Sequence, residues 1–290
     1  MHSGFVAIIG KANAGKSTLL NALLNHDVSI VSEKAQTTRN VIRGIYDDGE
    51  YQIVFIDTPG IHKPHHSLGK IMNQDAFDSV KGVEAIVLMV DGSSKINSSD
   101  ETILKRMPNN IPLFVAINKI DLLRLPDVVD VKKHFQDIYP MGKLIEMSAI
   151  KNFGVSDLLD CLKKLMPEGP RYYNEDQIVD KDAAFYVAEI VRQKALKFLQ
   201  EEIPHELAVR VDDIKHKKEA VYIKATIIVD KESHKGIVIG KGGKKIKTIG
   251  TKARQTLENY FNKHVFLELF VSVKEDWINN PQILKELGYK

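Results

Sequence analysis

The chain has 290 residues, 43% of them apolar and 27% charged, the balance of a soluble globular protein of about two domains. No apolar run approaches the roughly 18 residues that span a bilayer, and the single cysteine, Cys161, excludes a disulfide framework and points to a reducing cytoplasm. The net charge of +3 hides an asymmetry: residues 183–274 carry 18 Lys and Arg against 11 Asp and Glu, a net of +7, while the remainder has a net of −4. Seven of those basic residues and no acid fall within 235–254, the footprint of a face that binds a polyanion.

In chain order, the apolar run Phe5–Ile9 reads as a buried strand and not as a leader peptide, since no basic segment and long apolar core precede a cleavage site. It runs into Gly10-Lys11-Ala12-Asn13-Ala14-Gly15-Lys16-Ser17, followed by Thr18 and leucines at helical spacing. Strand, glycine-bounded loop and helix together make a phosphate cradle: backbone N–H groups turn inward and the helix N-terminus faces the same anion. Lys16 then reaches the outer phosphates, and the Ser17 hydroxyl is a ligand for Mg²⁺. Further strands read at Ile53–Ile56, Ala85–Val90, Leu113–Ile117 and Leu144–Met147. Their near-continuous apolar character marks strands buried on both faces of a mostly parallel sheet. Helices lie between them, the last at Val155–Leu165, where Cys161 reads as a buried small hydrophobe.

The stretch from Pro167 to Asp180, rich in Pro, Gly and charge, reads as a linker. Beyond it Ala184, Ala188, Val191, Ala195 and Leu199 mark one face of a helix, and two period-2 strands follow at Leu207–Val211 and Val221–Val229. Then come the turn Gly240-Lys241-Gly242-Gly243, a helix with Ile246, Ile249, Ala253, Leu257 and Tyr260 on one face, and a strand alternating from Val265 to Val273. The tail from Trp277 to Lys290 has room for one short helix. The boundaries are 1–168 for an α/β nucleotide domain, 169–182 for a linker, 183–274 for an α+β domain, and 275–290 for the tail.

Three segments choose the nucleotide, each at a strand's carboxyl end, where ligands collect in such sheets. Asp57-Thr58-Pro59-Gly60 offers a carboxylate to hold Mg²⁺ through water and a Gly60 N–H to touch a γ-phosphate. In Asn118-Lys119-Ile120-Asp121, the Asp121 carboxylate accepts from the N1–H and amine of guanine; adenine would leave it unpaired, a discrimination of about 10⁴-fold or more. Lys119 would lie along the base plane, Asn118 would brace the phosphate loop, and Ser148-Ala149 would close the base pocket with a backbone N–H. The set predicts a GTP site. In the second domain the glycines of the G-K-G-G turn let a nucleic-acid backbone approach main-chain N–H groups. Lys241, Lys244, Lys245 and Lys247 surround them, with Ile237, Ile239 and Ile246 as the apolar groove.

The first set resembles the Ras-like GTPases of the translation-factor branch, and the second resembles the type II KH domain, which grips about four nucleotides of single strand. The first resemblance makes 35–39 (Ala35-Gln36-Thr37-Thr38-Arg39) the first switch, with Thr38 as the γ-phosphate-sensing Mg²⁺ ligand unless the adjacent Thr37 takes that part. Lys16, Thr38 and Gly60 are then the catalytic candidates, and Ser17, Thr38 and Asp57 the metal ligands. Ile61 stands where relatives that orient water with a side chain carry Gln, so water must be held by backbone, another loop or a partner, and intrinsic turnover should be slow. Asn13 matches the position that holds a monovalent cation in potassium-dependent relatives. His62, His65 and His66 lack a matching carboxylate or cysteine set and read as a second-switch loop, not a metal site.

Over the whole chain the combination resembles the Era family of GTPases, with Ala12 and Ala14 where that family usually has Pro and Val. The resemblance implies a GTPase using Mg²⁺, and K⁺ if Asn13 serves as in those relatives. It further implies a monomer that binds the 3′ end of 16S ribosomal RNA and acts in assembly of the small (30S) subunit. Peripheral association with the inner face of the membrane is implied as well, to which the sequence adds only a basic surface. The alternative function is a GTPase with a constitutive RNA anchor that signals to a protein partner.

Overall fold

The computed structural model describes all residues except 33–36, 95–97, 141, 200–205 and 290, and the Ser98 side chain. The chain divides into two units, one of Met1–Lys63 with Met72–Asp180, the other of Pro64–Ile71 with Lys181–Lys290. The first unit is built on strands β1 (His2–Gly10), β2 (Ile42–Asp47), β3 (Tyr51–Asp57), β4 (Ala85–Asp91), β5 (Leu113–Asn118) and β6 (Lys143–Glu146). They form one sheet in the order β2-β3-β1-β4-β5-β6, parallel except for β2. The helices are α1 (Lys16–Leu24), α2 (Ser67–Asp78, of which residues 67–71 fall in the second unit), α3 (Ser98–Lys105), α4 (Leu125–Ile138) and α5 (Val155–Lys163).

The central strands are apolar because helices cover both faces: Val6 to Ile9 and Ala85 to Met89 are fully buried. The parallel registers Ile8↔Asp57 and Asp91↔Asn118 bring the carboxyl ends of β1, β3, β4 and β5 to one edge, where the loops carrying the motifs start.

Three sequence expectations need correction. Strand β2 was not read, because Arg43, Gly44 and Asp47 dilute its apolar pattern; Gly44 is there because α1 packs on it, and a Cβ would lie 2.5 Å from Leu24 Cδ1. The stretch expected to be a linker is not a free tether through Asp180. It is a strap on the first unit: Ile45 N–H donates to Ile178 O at 2.8 Å, and Gly44 bridges Val179 along the free edge of β2. Buried Gln52 anchors it, its Oε1 accepting from the N–H groups of Tyr172 and Tyr173 and its Nε2 donating to Tyr173 O. Cys161 is half-buried, because the core face of α5 runs through Val155, Leu158 and Leu162.

The second unit follows the expected order: α6 (Ala183–Phe198), β7 (Leu207–His216), β8 (Ala220–Val229), α7 (Glu232–Ile239), α8 (Lys244–Phe261), β9 (His264–Val273) and α9 (Pro281–Glu286). Its sheet runs β7-β8-β9, antiparallel then parallel. Val187, Val191 and Ala195 of α6 and Ile249, Ala253 and Leu257 of α8 are buried with the inner residues of β8. Trp277 is also fully buried, its indole N–H donating to Glu206 O at 3.0 Å. No helix of the described residues is long and apolar enough to cross a membrane.

Candidate functional site

The phosphate loop leaves β1 at Gly10 and ends at the first turn of α1, whose flanking residue Gly15 has φ of 100°. A Cβ at Gly15 would sit 2.2 Å from Asn118 Nδ2, so only glycine lets the loop lie against β5. Asn118 ties three segments together: its Nδ2 donates to Ala14 O and its Oδ1 accepts from the Ala149 N–H, both at 2.9 Å and both buried. A cavity of about 480 Å³ opens beside the loop, lined by Ala12, Asn13, Gly15 to Thr18, Ile30 to Ser32, Thr37, Thr38, Gly60, Lys119 and Ile150.

Lys16 is buried and folds back on its own loop, donating to Lys11 O at 2.8 Å and Gly10 O at 3.2 Å. Burial lowers its ammonium to about 8, against the opposing pull of Asp57. Oxygens converge in front of it: Ser17 Oγ lies 2.7 Å from Thr38 Oγ1 and donates to Asp57 Oδ2 at 2.7 Å, and Ser29 Oγ donates to the same oxygen at 3.1 Å. The other Asp57 oxygen, Oδ1, is buried with no hydrogen-bond partner among the described residues. Burial also pushes the Asp57 carboxyl up, with Lys16 and the two serine hydroxyls opposing. A buried carboxylate with one oxygen unsatisfied, beside two hydroxyls, is the donor set of a hard divalent cation. These residues fit Mg²⁺.

The Asp57-Thr58-Pro59-Gly60 turn is pinned to β1 by Thr58, whose hydroxyl donates to Ile8 O at 2.8 Å, and by the Ile61 N–H, which donates to Gly10 O at 3.0 Å. Gly60 passes so close to the loop that a Cβ would be 2.5 Å from Ala12 Cα. On the base side, Lys119 Nζ pairs with Asp91 Oδ2 at 2.6 Å, and Ile120 N–H donates to Met147 O. The Asp121 carboxylate is exposed and makes no hydrogen bond or ion pair among the described residues. The Ser148 and Ala149 N–H groups, expected to face the base, donate instead to Phe153 O and Asn118 Oδ1, so a base oxygen there has to share them. Sequence reasoning missed Ile150, an apolar side chain 75% exposed at the cavity. Residues 35 and 36 of the expected first switch lie outside the described residues, and no group of three metal-ligating side chains occurs among the described ones, the three histidines included.

In the second unit, the G-K-G-G turn joins α7 to α8 with positive φ at Gly240, Gly242 and Gly243. A Cβ at Gly242 or Gly243 would meet nothing within 4 Å, so the turn's surface is open to a close backbone. A groove of about 270 Å³ lies between α8 and β9, lined by Ile246, Lys247, Gly250, Thr251, Arg254, Leu267 and Leu269. Ile246 and Lys247, two of the residues expected at the nucleic-acid groove, line it. Ile237 and Ile239 do not line this groove; its apolar wall comes from Leu267 and Leu269, a strand 20 residues further on. Lys241 and Lys244 are exposed beside the turn, and Lys245 is half-buried under Gly240.

A phosphate cradle with a guanine-type base motif, joined to a helix–turn–helix groove for single strands, defines a GTPase carrying a nucleic-acid-binding unit. Residues 5–119 match the model of the family described as 50S ribosome-binding GTPase, and residues 202–278 match that of the KH domain. The chain is 44% identical to the GTPase Era of Clostridium kluyveri over 290 residues, 99% of each chain. It also superposes on two solved structures, each with a TM-score of 0.96, 39% identity, and coverage of 100% of this chain and 99% of the other. One is Era in complex with MgGDPNP and nucleotides 1506–1542 of 16S ribosomal RNA; the other is a variant of Aquifex aeolicus Era bound to GDP·AlF4⁻. The chain belongs to the Era family of GTPases.

Proposed function

We propose that this GTPase is a nucleotide-controlled switch that binds the 3′ end of 16S ribosomal RNA through its KH unit and acts in assembly of the 30S subunit. One observation carries the reading: a relative of the same fold along its whole length holds MgGDPNP and that RNA in one complex. The broader description matched by residues 5–119 names the 50S subunit, but it covers the first unit alone, without the RNA groove.

In this reading the N–H groups of Gly10 to Ser17 cradle the phosphates, and Lys16 swings from its two carbonyls onto the outer ones, gaining a full charge partner. Ser17 and Thr38 would ligate Mg²⁺, with Asp57 Oδ1 holding one of its waters. The Thr38 hydroxyl, already against Ser17 Oγ, supports Thr38 over Thr37. The ion would neutralise charge developing on the outer phosphates. Asp121 takes the guanine edge, while Lys119 and Ile150 flank the base. Gly60 places its N–H at the γ-phosphate, and Thr58 and Pro59 fix the turn that presents it. Ile61 has no polar atom to orient water, so intrinsic hydrolysis is slow and rises when RNA or a protein partner completes the site. Asn13 would hold a potassium ion, which would supply part of the missing positive charge; GTP turnover identical in potassium and sodium buffers would refute that role. The protein works as a cytoplasmic monomer, with its basic surface available for peripheral contact with the membrane.

The test measures GTP, ATP and RNA binding on the full chain with Mg²⁺. GTP bound far more tightly than ATP, and a 3′-terminal 16S RNA oligonucleotide bound differently with a GTP analogue than with GDP, are the expected results. ATP bound as tightly as GTP would overturn the nucleotide assignment. Equal RNA affinity in both nucleotide states would replace the switch by a constitutive anchor.

A further inference from the structure

Strand β9 carries the groove on one face only. Leu267 and Leu269 line the groove against α8, while the alternate residues Phe266 and Phe270 stand on the opposite face of the sheet, 54% and 50% exposed. In the order β7-β8-β9 this strand is the last, so at the sheet's edge the groove and the two rings are separated by the thickness of one strand. The relative's complex contains RNA nucleotides 1506–1542, whereas a KH groove holds about four. Phe266 and Phe270 bracket Leu267 and Leu269 in sequence, so a single strand leaving the groove over that edge meets a ring.

Phe266 is held ready for a further planar group. Its ring lies against Tyr222, its cross-strand partner on β8, with centroids 4.7 Å apart and planes 11° from parallel. Tyr222 in turn has Lys217 Nζ 4.7 Å from its centroid. The side of the stack toward β8 is thus taken, and the face of Phe266 turned away from β8 is where another ring can add. A ring already fixed by a neighbour loses little freedom when it is covered. The charges around it are balanced: Lys224 lies 3.4 Å from Glu268, Lys215 2.9 Å from Asp213, and Arg210 2.8 Å from Asp212. Glu268, between the two phenylalanines, repels phosphate. This face therefore suits a base and not the backbone, whose phosphates have Lys247 and Arg254 in the groove.

We propose that Phe266 is a base-stacking platform: the nucleotide next to those held in the groove turns over the edge of β9 and lays its base on the ring's open face. This rests on the RNA-binding function proposed above and adds how the strand is held where it leaves the groove. One base stacked on an aromatic ring contributes about 5- to 100-fold in affinity, with little preference among bases.

The experiment measures binding of the full-length chain and its Phe266→Leu variant to a 3′-terminal 16S oligonucleotide long enough to overrun the groove, intact and with each nucleotide in turn made abasic. Leucine keeps an apolar side chain on β9 and removes the ring. Expected is a loss of about 5- to 100-fold on the intact oligonucleotide with the salt slope unchanged, since no phosphate contact is lost. One abasic position outside the groove should cost the wild type a similar factor and the variant nothing. Phe266→Tyr, which keeps a ring, should bind close to wild type. Wild-type affinity in Phe266→Leu would overturn the proposal, and so would a tyrosine variant as weak as the leucine one. Equal sensitivity of both proteins to every abasic position would overturn it too, because the loss then comes from a distorted sheet. RNA affinity unchanged with weakened binding to 30S subunits would assign the ring to a ribosomal protein instead. A wild-type chain that binds no RNA refutes the proposed function itself, a result distinct from each of these.

Discussion

Replacing Asn118 by Ala tests how the nucleotide pocket is held. The side chain is 3% exposed and spans two loops, donating to Ala14 O and accepting from Ala149 N–H, each at 2.9 Å. Alanine removes both partners and leaves a carbonyl and an N–H with no replacement in a buried site. Each such orphan costs about 1–3 kcal/mol; water entering from the adjacent cavity offsets part, so the net is about 2–4 kcal/mol. For a unit of this size about 1 kcal/mol shifts the melting temperature by roughly 2–4 °C, so a drop of at least about 5 °C is expected. Circular dichroism melts of the nucleotide-free chain give the first reading, and titration with a fluorescent GDP gives the second. The phosphate loop and the 148–149 loop lose their shared fastening, so GDP affinity falls by about tenfold or more. Gly15→Ala gives an independent route to the same state, since its Cβ would arrive 2.2 Å from Asn118 Nδ2 at a φ of 100°. If Asn118→Ala melts within 1 °C of wild type and binds GDP within twofold, the side chain is not the fastening that its geometry implies.

Lys16 gives a pH dependence of defined sign. Its ammonium, lowered to about 8 by burial, is charged below that pH and neutral above it, so GDP affinity should be level from pH 6.5 to 7.5 and fall up to tenfold by pH 9, and an affinity flat to pH 9 would contradict this. The nucleotide-free fold should gain stability from this group as pH rises from about 8 toward 10.5, where the buried charge is relieved, which chemical denaturation at pH 8 and 9.5 measures. Gln52→Ala should release the 170–180 strap, because it leaves the N–H groups of Tyr172 and Tyr173 without their acceptor; limited proteolysis should cut there at least several-fold faster than in wild type. Glu189→Gln removes the carboxylate paired with the buried Arg192 guanidinium and should destabilise the second unit by about 1.5–3 kcal/mol, read from the chemical unfolding of that unit.

Much of the first site was legible because its chemistry is written in contiguous residues: a cradle of N–H groups needs Gly10 and Gly15 in one loop, and its lysine and hydroxyl follow at once. The strands feeding it were legible because burial on both faces makes them continuously apolar. What was not legible depends on partners distant in the chain. Gln52 looks like any polar residue of a strand until residues 172 and 173 lie against it, and the N–H of Ala149 looks available for a base until Asn118 takes it. The groove between α8 and β9 shows the same limit most sharply. The alternation from Val265 to Val273 says that β9 has two faces, and a simple rule of hydrophobicity would turn the larger aromatic rings inward. Instead Phe266 and Phe270 are about half exposed, Phe266 stacked on Tyr222, while Leu267 and Leu269 face α8 and line the groove. Gly250 of α8 lies over this aliphatic wall: a Cβ there would meet Leu269 Cδ1 at 3.4 Å, an ordinary packing distance. The face that β9 turns inward is thus paired with a helix earlier in the chain, and Gly250→Phe, which puts a ring into the groove, should close it and abolish binding of a 3′-terminal 16S RNA oligonucleotide while leaving GTP binding intact.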